Sequence, residues 1–372
     1  MKTKSTFFTL LLLLFIGSTT YFFSQNSILV VSSATGNKTV LQLNATDGSV
    51  INSSFIDLSS QSAGTIKGIA QVGDKIWITD QTADKIYIYD LTGNYVSAIT
   101  SGLDNIRGIN VVNNEVWVAN DGSSNGATAD SIMRFSTTGT FLGFYVAPNT
   151  SIFDIVDDKN GTVYVSGLTN QGIQKLNYTG ASLGNLVAPN IFQNLQQINL
   201  MSSGNLLAAV FQNHSGSGNA AGVYVISTAN GSILNNWPAT DMRGVIELED
   251  GNVLFTNGSG VHKIDTTTGV KTQLLSGAFQ YMTKALLSPL AVKDVTKSVS
   301  KIYPNPTVDF IHLDSTENIE NVKVLAMDGR LITSEIVNAK SYKLDVRNLP
   351  TGNYLIVLES KNNTSKHRFI KK

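Results

Sequence analysis

The sequence predicts an all-β protein, a six-bladed β-propeller followed by a small immunoglobulin-like β-sandwich. Three observations lead there. A unit consisting of an apolar residue, a basic residue, Gly-Ile, a polar turn and alternating strands recurs along residues 65–257. Each full unit spans roughly 40–45 residues and holds four short apolar runs separated by tight turns, the signature of propeller blades. Beyond residue 300 a different set of short alternating runs takes over, broken by Asp-Gly and Pro-Thr-Gly turns and long enough for a β-sandwich of about 70 residues.

The repeat is plainest in TIKGIAQVGDKIWITDQTADKIYIYD (65–90) and NIRGINVVNNEVWVANDGSSNGATADSIMRF (105–135), with looser copies at 151–167, 194–210 and 241–257. The equivalent positions Gly68, Gly108, Asp154, Gln197 and Gly244 lie 40, 46, 43 and 47 residues apart. The first of these units predicts strands over 66–70, 75–79, 85–90 and 95–99. Gly-Asp, Asn-Gly and Asp-Gly turns favour antiparallel hairpins over the parallel coils of a solenoid. Residues 28–31, 39–43 and 49–55 supply three strands without an inner one, and 280–287 supply an inner strand without outer ones. The two fragments complete a composite first blade, so the ring closes by pairing its own ends. By period, Lys284 falls 40 residues beyond Gly244, which places Thr283 in register with Lys67, Arg107, Phe153, Gln196 and Arg243 at the start of inner strands.

Composition narrows the function. The chain has 372 residues, with 27 Lys+Arg against 27 Asp+Glu, 31 Gly and no Cys. Zero Cys excludes disulfides, thiol nucleophiles and zinc–thiolate sites. A mean hydropathy of +0.04 excludes a polytopic membrane protein. The balanced charge conceals unlike parts: residues 25–289 carry 12 basic and 18 acidic groups, residues 290–372 carry 13 and 9. An acidic propeller is no nucleic-acid binder, which needs a basic face to neutralise phosphates.

At the N-terminus, Met1-Lys2-Thr3-Lys4 precedes an apolar run over 7–16 and the small polar exit Gly17-Ser18-Thr19-Thr20. This is the pattern of a secretory signal peptide. Residues 7–23, broken by Gly and Thr, are at the short limit for a membrane span. The expected organisation is a signal peptide over 1–24, the propeller over 25–289, a linker over 290–299 and a terminal domain over 300–372. The mature chain is expected to have no membrane span.

The terminal domain opens on Lys301-Ile302-Tyr303-Pro304-Asn305-Pro306. It continues through Val322-Lys323-Val324-Leu325 and the turn Met327-Asp328-Gly329-Arg330 to Leu349-Pro350-Thr351-Gly352-Asn353-Tyr354, and ends on Lys371-Lys372. These residues closely resemble the type A C-terminal sorting domain of the type IX secretion system of the Bacteroidota: a YPNP opening, a central turn with Gly329, an L-x-x-G-x-Y strand with Gly352 and Tyr354, and a Lys-rich end. The resemblance implies passage across the outer membrane by that machinery as partner, with the cargo released or attached to the cell surface. Within the propeller, the basic residue before Gly-Ile and the V-x-V-x-D-like strand resemble NHL-type repeats, a likeness that supports architecture more than activity.

The same blade geometry gathers candidate ligand-binding residues. Lys67, Arg107 and Arg243 begin inner strands, and Asp80, Asn120, Asp121 and Asn257 end second strands on the same rim. Two insertions, 121–130 and 212–222, rich in Gly, Ser, Asn and Ala, fall on that rim as flexible loops, where binding usually resides. One reading makes the cations a partial ring around the channel mouth that receives an anionic extracellular ligand, a carboxylated glycan or a peptide terminus. The other makes them rim salt bridges, for example Arg107 with Asp80 or Asp121. A weakly held Ca²⁺ could use Asp121, Asp130 or Asp154 with loop carbonyls; otherwise no cofactor is expected.

Catalytic patterns are scarce. There is no G-x-S-x-G elbow, no H-E-x-x-H and no D-x-D-x-D-G loop. The propeller glutamates Glu115, Glu247 and Glu249 fall at turns on the opposite rim, against a lactonase-type metal site. The expected function is therefore an exported binding module, with a metal-assisted hydrolase or lyase as the rival. Trp77, Trp117 and Tyr164, at matching second-strand positions, are expected in the core between blades, and Trp237 at an exposed blade exit.

Overall fold

Runs of alternating apolar residues joined by Gly-, Asn- and Asp-bearing turns build six antiparallel four-stranded sheets. A computed structural model describes residues 25–34, 38–147, 151–168, 172–287, 300–326, 330–360 and 363–372. The expected signal peptide, the linker and Gly329 lie outside the described residues. Chain contacts divide at Pro289 and Leu290 into two units.

In the first unit the inner strands are Ile66–Val72, Ile106–Val112, Ile152–Asp157, Gln193–Leu200 and Val245–Glu247 in blades two to six. Blade one is composite. Its inner strand Phe279–Leu287 pairs antiparallel with Gln25–Ser32, which continues outward to Thr39–Asn44 and Val50–Asp57. The ring thus closes by hydrogen bonds between its two ends, as the sequence predicts.

Each pair of neighbouring blades encloses its own apolar cluster, six in all around the ring. Trp77 packs with Ile106 and Val116 across blades two and three, and Trp117 with Ile152 and Val163 across three and four. Tyr164 packs with Leu195 and Leu206 across four and five. Trp237 differs from expectation: it is 8% exposed and packs with Val223, Val245 and Phe255.

The repeated glycine has a steric cause. A Cβ on Gly68 would lie 2.4 Å from the carbonyl oxygen of Arg107, and one on Gly244 would lie 2.5 Å from that of Gln280. Adjacent inner strands approach too closely there for a side chain directed between them.

The second unit is a β-sandwich built on two long strands, Phe310–Ala326 and Leu331–Asp345. The start of Phe310–Ala326 pairs with Lys301–Tyr303, and its far end with Gly352–Ser360, which pairs in turn with Asn363–Lys371. A register break between Asp314 and Ile319 lets one strand serve both layers. Ile311, Leu313, Val324, Leu344, Ile356 and Phe369, from both layers, form a single core.

Candidate functional site

The blade architecture creates one special position per inner strand. In blades one to five the register slips by a residue at that point, a β-bulge, which bends the strand and re-aims a side chain. The bulged position is occupied by Lys67, Arg107, Phe153 and Gln196, and Arg243 holds the corresponding place before the short inner strand of blade six. The blade-one equivalent is Gln280, not Thr283. The identity is set by hydrogen bonding: the hydroxyls of Thr79, Ser166 and Thr256 donate to the carbonyls of Arg107, Gln196 and Gln280 of the following blades. The period fails by three residues because turn lengths differ between blades.

The bulged side chains meet on the axis and close it. Lys67 Nζ donates to Gln196 Oε1 at 2.9 Å and Gln280 Oε1 at 3.4 Å, reaching blades five and one from blade two. It lies 5.0 Å from the Phe153 ring centroid and 5.1 Å from that of Tyr281. The Arg107 guanidinium covers the same Phe153 ring at 4.1 Å. Just beneath, Asp154 accepts from Ile198 N at 3.0 Å, Gln197 Nε2 donates to Met282 O at 2.7 Å, and the Tyr281 hydroxyl donates to Phe153 O at 3.4 Å. Burial, reinforced by the guanidiniums of Arg243 and Arg107, pulls Lys67 down to about 7. Burial pushes Asp154 up to about 8, against the opposing pull of the Ile198 and Ile155 N–H donors and of the Lys67 charge. A polar plug therefore divides the channel into two mouths.

At the mouth where the inner strands begin, called upper here, the expected residues divide by role. Lys67 and Arg107 are buried and engaged. Arg107 pairs with Asp121 at 2.7 Å and donates to Ile152 O at 3.0 Å. Asp121 also accepts from Asn105. Asp80 is fully buried and accepts from Gly64 N at 2.6 Å. It is a structural fastener that recurs: Asn120 accepts from Asp104 N, and Asn257 donates to Thr240 O, each three residues before the bulge. Asp154 lies below the plug rather than at this mouth. Arg243 stands apart. It is half-buried, and its guanidinium lies 5.8 Å from the Phe211 ring and donates to no acceptor among the described residues.

The two inserted loops are pinned rather than free. Asp104 accepts from Ser124 N at 2.6 Å and Asn120 Nδ2 donates to Thr128 O. His214 Nδ1 accepts from Ser217 N, and Asn219 Nδ2 donates to Ile191 O. Asp121, Asp130 and Asp154 have separate engagements, Asp130 with Ser151 N. Among the described residues no group of three or more His, Asp or Glu could hold a metal ion.

Sequence reasoning missed the lower mouth, where the inner strands end. A depression of about 550 Å³ opens there and continues into a shaft of about 160 Å³. Asp154, Gln197 and Tyr281 close the shaft, and Asn110, Asn199, Thr283 and Lys284 line its way out. A signal for it exists: the residue three after the bulge alternates polar and apolar around the ring, as Thr283, Ala70, Asn110, Val156, Asn199 and Ile246 in blades one to six.

In the terminal unit the motif residues have structural work. Asn305 brackets the last strand, donating to Arg368 O and accepting from Ile370 N, each at 2.9 Å. Thr307, just after the motif, bonds Ile370 O and Lys372 N through its backbone. The YPNP opening and the Lys-rich end are thus one structure, with Lys371 buried and Lys372 exposed. Tyr303 donates to Asp314 at 2.6 Å. Tyr354 donates to Pro350 O at 2.7 Å, fastening the turn that contains Gly352.

Architecture and motif together define an exported β-propeller carrying its own sorting signal. Residues 301–372 match the family of secretion system C-terminal sorting domains. That segment is a type IX sorting domain, which marks the protein as secreted or attached to the cell surface and implies engagement with the type IX machinery. None of the curated proteins matches the chain. Among solved structures, a chain of the nidogen/laminin complex is 15% identical with a TM-score of 0.57, the match covering 71% of this chain and 99% of that one. A Bacteroides caccae protein of unknown function is 12% identical with a TM-score of 0.50, covering 69% of this chain and 98% of that one. These likenesses concern the fold alone. No helix among the described residues is long and apolar enough to cross a membrane.

Proposed function

We propose that the propeller is an extracellular binding module whose upper mouth takes an anionic group, the carboxylate of an acidic sugar or of a peptide C-terminus. The observation that carries this is Arg243: a half-buried guanidinium without an acceptor among the described residues, beside two further cations. A carboxylate would supply the missing charge-assisted bonds. Lys67 and Arg107 would contribute field more than contact, since both are committed to the plug and to Asp121.

The test compares glucuronate with glucose, and a short peptide ending in a free carboxylate with its amide, by titration calorimetry on the full chain. The acidic member of at least one pair is expected to bind preferentially. Arg243→Ala should lower that affinity about tenfold or more, the scale of a hydrogen bond to a charged group. Equal affinity in the variant, or no preference for the carboxylate in either pair, would sink the proposal.

A further inference from the structure

We infer that the lower face carries a second, separate binding site, a funnel and shaft suited to the uncharged, hydroxyl-rich end of a neutral sugar or glycan. The combined volume falls in the ordinary range of small-ligand pockets. Thr283, Asn110 and Asn199 project from blades one, three and five, in pseudo-threefold arrangement around the shaft. Ala70, Val156 and Ile246 alternate with them and are buried.

The polar members are half-buried and underused. The Asn110 and Asn199 amides bond no described residue, and the Thr283 hydroxyl reaches only the carbonyl of its neighbour Lys284, at 3.3 Å. Each amide presents a donor and an acceptor side by side, and a hydroxyl group offers both in return. Between them the shaft surface is mainly polar, because Ile69, Ile109, Ile198 and Met282 turn into the inter-blade clusters, a match for the hydroxyls of a sugar.

The charges at the rim do not call for an ionic ligand. Glu249 accepts from Asn26 at 2.5 Å and from Thr46 at 2.9 Å. Lys159 is held by Asp157 and by Val111 O. Lys284, on the way out of the shaft, is exposed to solvent. The plug separates this site from the cations above, so a ligand here does not compete with one at the upper mouth.

Glucose, galactose, mannose and N-acetylglucosamine, each as the free sugar and as its methyl glycoside, would be titrated against the full chain by saturation-transfer NMR. At least one is expected to bind saturably. Asn110→Ala and Asn199→Ala should each weaken it about three- to tenfold, the scale of a neutral hydrogen bond, and Thr283→Val, which keeps the volume, by a similar factor. Arg243→Ala should leave it within twofold. Thermal unfolding of each variant checks folding, with Thr283→Val as the reserve if an alanine variant is unstable. The inference is overturned if no sugar binds saturably, if all three tripod variants bind as the parent does, or if Arg243→Ala abolishes binding. Failure at the upper mouth would appear only in the Arg243 comparison, so the two readings can fail independently.

Discussion

The two mouths of the propeller are rimmed by the same six inner strands, three residues apart or ~10 Å of strand, yet their chemistry differs. Over the plug's Lys67 stand Arg107 and Arg243 with one paired carboxylate, Asp121; below it the strand ends offer neutral amides and a hydroxyl, with the Asp154 carboxyl at the floor and Lys284 on the way out. The bulge makes the difference. A side chain re-aimed at the axis meets partners from other blades, so even an ammonium can be buried against Gln196, Gln280 and two aromatic rings. Three residues on, the strand is regular and a polar side chain meets only the funnel. A short slip in register thus divides one channel into two environments.

The partition itself is the first place to break the comparison. Tyr281 is 1% exposed, crosses the axis and bonds the carbonyl of Phe153. Tyr281→Ala should cost about 3–5 kcal/mol in urea unfolding, as for other large aromatic-to-alanine changes in cores. A loss below about 1 kcal/mol would mean that the two mouths are not walled apart by packing.

Protonation gives a second, smaller handle. Asp154 is raised to about 8 in the folded chain by burial and returns to an ordinary carboxylate on unfolding. Between about pH 4 and 8 the folded state therefore binds the extra proton, and stability falls as pH rises. Asp154→Asn removes that contribution. The variant should gain on the parent by about 2–3 kcal/mol between pH 5 and 7, one proton's linkage over two pH units. Lys67, lowered to about 7 against the pull of the Asp154 charge, acts in the opposite direction above pH 7, so the comparison is read below pH 7. Parallel stability–pH curves below pH 7 would show that Asp154 is ionised and the plug is charged.

How much of this was legible in the sequence follows from how local each feature is. Four strands per unit, the composite blade and the sandwich rest on apolar alternation and turn residues, which every blade restates. Gly68, Gly108 and Gly244 mark the close approach of neighbouring inner strands, and that too repeats. The assignment of Thr283 failed because position in the ring is fixed by the hydrogen bond from Thr256 to Gln280, whereas spacing drifts with turn length. The cations were visible at a common position, but their burial was not: Gln196, Gln280 and Tyr281 are far apart in the chain and meet only once the ring closes. Asn110 and Asn199 carry no local signal, and their alternation with Val156 and Ile246 acquires meaning only around an axis.

The smallest expected effect separates the cations from one another. Arg107 is fastened on three sides, by Asp121, by Ile152 O and by the Phe153 ring, so Arg107→Ala should cost about 1.5–3 kcal/mol, the scale of hydrogen bonds to charged groups. The Arg243 guanidinium lies 5.8 Å from the Phe211 ring centroid and bonds no described acceptor. Arg243→Ala should therefore stay within about 0.5 kcal/mol of the parent in urea unfolding. A residue kept for the fold shows its worth in stability, and one kept for a ligand shows it in binding. Comparable losses in the two variants would place Arg243 among the structural cations and leave the upper mouth without a free charge to offer.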